Sequence, residues 1–190
     1  MRKHVMALFL AATLAGCSTS EKLVERSSTP TMTSGYVGGN FTIKEYPFAT
    51  AFVLTNVESS EEYILPFTTQ RSFDAGHNET SLIELPKGTY RATHWIVFNA
   101  FWGQNIGSRE FKAMLKPSKF TEPFKVNGGE IVFLGKFITN SKWTPGYLSS
   151  TTRGWWEAER LSEARAKDLL KDAYPTYAAL RFSCLHCALN

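Results

Sequence analysis

Apolar and polar residues alternate with period two through much of the middle of the chain. In F-A-T-A-F-V-L-T-N-V, Phe48, Thr50, Phe52 and Leu54 fall on one side of an extended backbone. Short runs at Glu62–Phe67 and Thr80–Leu85 follow. In T-Y-R-A-T-H-W-I-V-F-N the alternation places Tyr90, Ala92, His94, Ile96 and Phe98 on one face, and Arg91, Thr93 and Trp95 on the other. Phe111, Ala113 and Leu115 alternate with Lys112 and Lys116. Phe124 and Val126 then lead through Asn127-Gly128-Gly129 into E-I-V-F-L-G-K-F-I. Asn-Gly tolerates positive φ and signals a hairpin. Strands of this length, separated by Gly, Asn and Pro, predict a mainly β protein, an antiparallel β-sandwich.

After Asn140 the pattern changes. Trp143, Pro145, Tyr147, Trp155 and Trp156 read as an irregular aromatic connector. The segment W-E-A-E-R-L-S-E-A-R-A-K-D-L-L-K-D-A-Y has helix-forming composition, with Ala166, Leu169, Leu170 and Ala173 as an apolar stripe. Pro175 ends it. An amphipathic C-terminal α-helix packed on the sandwich is therefore expected. Its polar face mixes acids and bases, which disfavours a helix lying on a membrane surface.

The stretch Leu85-Pro86-Lys87-Gly88-Thr89-Tyr90 resembles the strand start common in prealbumin-like and carboxypeptidase-regulatory-like β-sandwiches. That resemblance implies a fold, and accessory or binding modules rather than catalysis. Pro and Gly make the turn, and Tyr enters the core.

The N-terminus has a different character. Arg2 and Lys3 precede a short apolar run, Val5 to Ala15, well under the ~20 apolar residues needed to span a bilayer. A basic start followed by such a run is a secretory signal pattern, yet no A-x-A cleavage site follows. Leu14-Ala15-Gly16-Cys17 stands there instead, and it resembles the lipobox of bacterial lipoproteins. The resemblance implies cleavage before Cys17, diacylglycerol on its thiol and a further acyl chain on the new amino terminus. More than one chain gives stable anchoring. Ser18, rather than Asp, follows Cys17, which in that family implies export to the inner face of the outer membrane.

Four segments follow from these patterns. Residues 1–16 form the signal peptide, and 17–39 the lipidated Cys with a flexible Ser/Thr/Gly-rich tether. Residues 40–140 are the sandwich, and 141–190 the connector and helix of the same domain. A coil of about 22 residues would reach roughly 25 Å on average. The whole chain carries 21 basic and 17 acidic side chains; without Arg2 and Lys3, 19 basic residues face 17 acidic ones, a net of +2. So small an excess disfavours nucleic-acid binding.

The chain contains no G-x-S-x-G elbow, H-E-x-x-H, phosphate loop or dinucleotide fingerprint, and no cofactor is expected. Three constellations remain. Asp74, His77 and Glu79 place two carboxylates and an imidazole near one loop, able to poise a base or hold a cation, or to form only a polar turn. Phe101 and Trp102 form a partner-binding patch if exposed, or fold onto the core beside Trp155 and Trp156. His94 alternates with core residues, which marks it as a core or edge histidine. Cys184 and Cys187 flank His186 at the end of the chain. A zinc site needs about four ligands, and no second pair is present. With Cys17 assigned to lipid, two cysteines remain in an oxidising compartment, and a Cys184–Cys187 disulfide is the leading expectation.

The reading that results is a non-enzymatic, lipid-anchored envelope protein with a binding or structural role. Its partners would be the membrane and an envelope protein or peptidoglycan. The alternatives are a redox or metal-handling lipoprotein using Cys184 and Cys187, and an enzyme built on Asp74, His77 and Glu79.

Overall fold

The computed structural model describes residues 23–44, 48–68, 76–99, 111–117, 119–144 and 151–187. The strands are β1 (Gly35–Ile43), β2 (Phe48–Asn56), β3 (Glu62–Pro66), β4 (His77–Leu85), β5 (Gly88–Asn99), β6 (Phe111–Met114), β7 (Phe124–Val126), β8 (Glu130–Thr144) and β9 (Thr151–Glu159). Helix α1 (Glu163–Ala173) and strand β10 (Arg181–Cys184) complete the described chain. The protein is mainly β, and the described residues form two five-stranded sheets and one α-helix.

The first sheet runs β3-β2-β5-β6, with β7 also paired to β5. The second runs β10-β8-β1-β4, with β9 also paired to β8. All pairings in the first sheet are antiparallel, as alternation with short turns predicts. The second sheet is mixed, contrary to the antiparallel expectation: β8 runs parallel to both β1 and β10. The chain enters β1 and β8 from the same end, where Gly129 N–H donates to the Ser34 carbonyl at 2.9 Å. Strands entered from one end must run parallel, and the long excursion through the first sheet supplies the crossover.

The inner faces of the sheets share one aromatic core. Phe41 stacks on Phe67 at 4.2 Å between ring centroids, and Phe52 meets Phe67 at 4.7 Å, Phe120 at 4.7 Å and Phe137 at 5.0 Å. Trp156 of β9 seals the cluster against Phe52, Phe120 and Phe137. Such offset and edge-on ring pairs add to the burial energy itself.

Two bulges keep that core filled. Leu54 pairs with Ala92 and Val53 with His94, so Thr93 is an extra residue in β5. The expected alternation therefore breaks: Tyr90, Ala92 and Trp95 face the core, while Ile96 turns outward with Ala51 and Val53. An inserted residue reverses the facing of everything downstream. In β8 the register with β1 shifts between Phe133 and Lys136. Val132 before the shift, Leu134 within it and Phe137 after it all reach the core. Gly135 lies at this bulge with φ of +136°, a backbone that L side chains rarely adopt.

The tether reading of 17–39 is corrected by β1. Gly35–Ile43 is an interior strand flanked by β4 and β8, and all of it is buried except half-buried Thr42. Val37, Phe41 and Ile43 face the core, while Tyr36 faces the opposite side. The glycines that suggested flexibility serve close packing: a Cβ on Gly38 would lie 2.7 Å from the Ser81 carbonyl oxygen. The irregular-connector reading is also corrected where the chain is described, Pro145 and Tyr147 lying outside the described residues. Residues through Thr144 continue β8, and Thr151–Glu159 pairs back on it as β9.

Helix α1 begins later than its composition predicts, because Trp156–Glu159 belongs to β9. Ser162 caps it, its hydroxyl accepting from Arg165 N–H at 3.2 Å. The predicted stripe is used: Ala166 and Leu170 are buried, with Leu169 and Ala173 packed beside them. Pro175 opens a following 3-10 turn, and no α-helix continues through it. The helix covers the outer face of the second sheet, with Leu170, Tyr174 and Tyr177 over Tyr36, Leu82 and Ile131.

The L-P-K-G-T-Y stretch now has a physical basis. Tyr90, fully buried, donates its hydroxyl to the Pro86 carbonyl at 2.8 Å and so pins the turn to the strand it begins. Its ring meets Tyr63 edge-on at 5.8 Å. Burial pushes the Tyr90 phenol above its ordinary value. Burial, and then the hydrogen bond to Glu61, does the same to Tyr63.

Phe52→Ala should destabilise the protein by about 3–5 kcal/mol, because five rings around it lose their partner. Met114→Ala, at a site 78% exposed, should change stability by no more than about 0.5 kcal/mol. Urea denaturation of the two variants checks the contrast.

Candidate functional site

Strand β4 is an edge of the second sheet and β3 an edge of the first, and the two edges come together. Period two points Glu79 inward at this seam with Ile83 and Leu85. Its side chain is 1% exposed, although it is a carboxylate. Burying such a charge costs several kcal/mol unless donors replace water.

Three donors do so, from separate parts of the chain. Thr68, just past β3, donates its hydroxyl to Glu79 Oε2 at 2.9 Å. His77 Nε2 lies 3.0 Å from the same oxygen. Arg26 Nη2 reaches Oε1 at 3.2 Å, with its side chain 57% exposed. His77 and Glu79 of the sequence-predicted trio thus converge; Asp74 lies outside the described residues.

A hydroxyl, an imidazole and a carboxylate are the parts of a hydrolytic triad, but Thr68, His77 and Glu79 by themselves are not arranged as a relay. Thr68 Oγ1 and Glu79 Oε2 both approach the same nitrogen, His77 Nε2, at 3.3 and 3.0 Å. A relay requires the nucleophile on one ring nitrogen and the orienting carboxylate on the other. Thr68 also donates directly to Glu79, so its proton is directed into the ion pair. The Arg26 guanidinium occupies one side of the carboxylate. Among the described residues no group of three His, Cys, Asp or Glu side chains could hold a metal ion.

What the cluster can do is fasten. Arg26 belongs to residues 23–34, which strap across the second sheet. Leu23 bridges Ile83 at the open edge of β4, and Val24 N–H donates to the Leu82 carbonyl at 2.9 Å. Ser28 Oγ lies 2.8 Å from the Tyr177 hydroxyl, and Thr176 donates to the Ser28 carbonyl at 2.8 Å. Thr31 N–H donates to the Tyr36 hydroxyl at 2.7 Å. Burial raises the phenols of Tyr174 and Tyr177 beneath the strap. Arg26 and Thr68 were not legible as site residues in the sequence. Both sit in short polar segments, and only the tertiary fold brings them to Glu79.

The C-terminal pair forms a disulfide, Cys184–Cys187. Cys184 ends β10, and both cysteines pack on the cluster of Phe133, Leu161 and Ala166. Leu185 N–H donates to the Phe133 carbonyl at 2.9 Å, and its side chain packs against the core. The His186 ring lies parallel to Phe137 at 6.5 Å. A Cβ on Gly135 would stand 3.0 Å from His186 Cβ, so the glycine bulge in β8 also makes room for the clasp. Neither cysteine sits at a helix N-terminus, the setting that lowers thiol pKa in redox motifs. His94 is half-buried at the β5 bulge, with Nδ1 3.0 Å from Thr93 Oγ1. Cys17, Phe101 and Trp102 lie outside the described residues.

No protein-family model matches the chain, and no curated protein matches it. Among solved structures, a leucine-rich repeat protein from Bacteroides thetaiotaomicron is similar over 55% of this chain and 14% of its own, at 13% identity. The TM-score of 0.31 is too low to bear on fold or function.

Glu79→Ala should cost about 2–3 kcal/mol, since it strips the shared acceptor from three donors. It should also speed trypsin cleavage after Arg26, read by mass spectrometry; an unchanged rate would remove the latch. The double Cys184→Ser/Cys187→Ser variant should lose at most about 2 kcal/mol, because so short a loop restricts the unfolded chain little. Thermal melts under non-reducing conditions measure that loss.

Proposed function

We propose that the chain is a lipid-anchored protein of the bacterial cell envelope. Its body is a β-sandwich with a binding or structural role, on the periplasmic side of the outer membrane. The observation that carries this reading is Leu14-Ala15-Gly16-Cys17, placed directly after a basic start and a short apolar run. Signal architecture and cysteine arrive together, as the lipoprotein resemblance requires, and Ser18 favours the outer membrane.

The non-catalytic part of the reading is supported by the chemistry at the Glu79 seam. Its carboxylate accepts from Thr68, His77 and Arg26, and Thr68 and Glu79 approach the same His77 nitrogen. The likeness of L-P-K-G-T-Y to prealbumin-like sandwiches, which are mostly binding modules, points the same way. The redox or metal-handling alternative is less well supported, since Cys184 and Cys187 close a clasp packed on apolar side chains. The partner of the proposed binding role is an envelope protein or peptidoglycan.

Expressed in a bacterium fed labelled palmitate, the natural chain should incorporate label and lose its first 16 residues. Cys17→Ala should stay unprocessed and unlabelled. Normal maturation of that variant would overturn the anchor.

A further inference from the structure

We infer that the bilayer faces the end of the domain that holds Leu23, and that the β8–β9 hairpin points away from it. The short link from Cys17 keeps the hairpin from standing between the domain and the bilayer, and two exposed apolar side chains at the Leu23 end, Leu23 and Met32, favour that end at the lipid surface. The inference rests on the lipid anchor proposed above.

Cross-strand registers define one level through the second sheet. Leu23 bridges Ile83, Ile83 pairs with Val37, and Val37 pairs with Val132. Just beyond this level lie the start of β1, the Leu85–Gly88 turn and the Gly128–Gly129 turn. In the other direction β8 continues to Thr144, which pairs with Thr151 at the far end of the hairpin. The 12 residue steps from Val132 to Thr144 span about 40 Å at the rise of a strand.

The link is far shorter. Six residue steps separate Cys17 from Leu23. Fully extended they reach at most about 20 Å, and as a coil about 13 Å. The link therefore keeps the Leu23 end within about 20 Å of the surface in which Cys17 is fixed, too close for the roughly 40 Å hairpin to stand between the two. A tether running to residue 39 would have allowed this, but β1 and the strap take up that length. The strap adds no slack while Val24 is bonded to Leu82, Arg26 to Glu79 and Ser28 to Tyr177.

Polarity follows for the whole domain. The near end carries the turns from Asn56 to Glu62, Leu85 to Gly88 and Val126 to Glu130. It also presents two exposed apolar side chains, Leu23 at 38% and Met32 at 68%, the latter lying against the Gly128–Gly129 turn. Both suit a lipid interface better than water. At the opposite end lie Ile43, Phe48, His77, Asn99, Phe111, Thr144 and Thr151. The connections β1–β2, β5–β6 and β8–β9 leave and return there, on the side turned toward the periplasm.

The cysteines make this testable. Cys17 is acylated in the anchored protein and Cys184 is bonded to Cys187, so one introduced cysteine supplies the reactive thiol. Met32→Cys and Asn78→Cys, both at exposed positions, are labelled with one fluorophore in full-length lipidated protein. Each is reconstituted into phosphatidylethanolamine/phosphatidylglycerol vesicles carrying a nitroxide headgroup lipid. The label at 32 should be quenched at least about threefold more than the label at 78, which lies roughly 25 Å further along the sheet. Equal or reversed quenching in vesicle-bound protein overturns the orientation and leaves the anchor standing. Protein that fails to float with the vesicles overturns both. Inserting a Gly/Ser stretch of about 20 residues after Ser18 should abolish the difference. A difference that persists overturns the short link as its cause.

Discussion

Strand β8 carries large apolar side chains on both faces: Val132, Leu134 and Phe137 inward, Ile131 and Phe133 outward. A sheet built around such a strand must be covered twice. The first sheet covers one side through the phenylalanine cluster. Helix α1, the 3-10 turn at Pro175–Tyr177 and the strap cover the other. This double burial explains the order of the C-terminal elements. After β9 the chain crosses the outer face as a helix and returns to β8 as β10, where Phe182 packs against Phe133 at 5.8 Å.

The same demand explains the two bulges. A strand that starts in the right phase does not keep it over 12 or 15 residues when its large side chains are spaced unevenly. One extra residue at Thr93 brings Trp95 inward, and one at Gly135 brings Phe137 inward. The second bulge has a further use, because the glycine leaves space for the His186 side chain at its Cβ. The terminal disulfide thus clasps a place where the sheet is locally irregular.

The strap gives the N-terminal segment a mechanical role in place of a flexible one. Its polar residues bond to side chains on three separate elements, and its contact through Arg26 ends in a carboxylate almost sealed from water. The attraction between Arg26 and Glu79 is strengthened by that burial on one side and weakened by solvent on the other. Under the proposed anchor, this is the first firm fixture that a pull from the membrane would meet.

Much of this was legible in the chain itself. Period-two alternation marked the strands from Phe48 to Ile138, and the apolar stripe with Pro175 marked the helix and its end. Composition misled at both flanks. Gly, Ser and Thr around β1 read as flexible because glycines in a close-packed interior strand look the same as glycines in a linker. The aromatics after Asn140 read as irregular because β9 gains its order from pairing with β8. The terminal C-L-H-C could be read as a staple by counting cysteines. The residues around Glu79 could not be found that way. A buried carboxylate is stable only where donors converge, and Arg26, Thr68 and His77 meet it through the packing of two sheet edges. Local sequence determined which segments could be strands and helix, because side-chain period and turn chemistry act over a few residues. Register, bulges, the parallel pairing of β1 with β8 and the latch were decided by tertiary structure, because each depends on contacts between residues far apart in the chain.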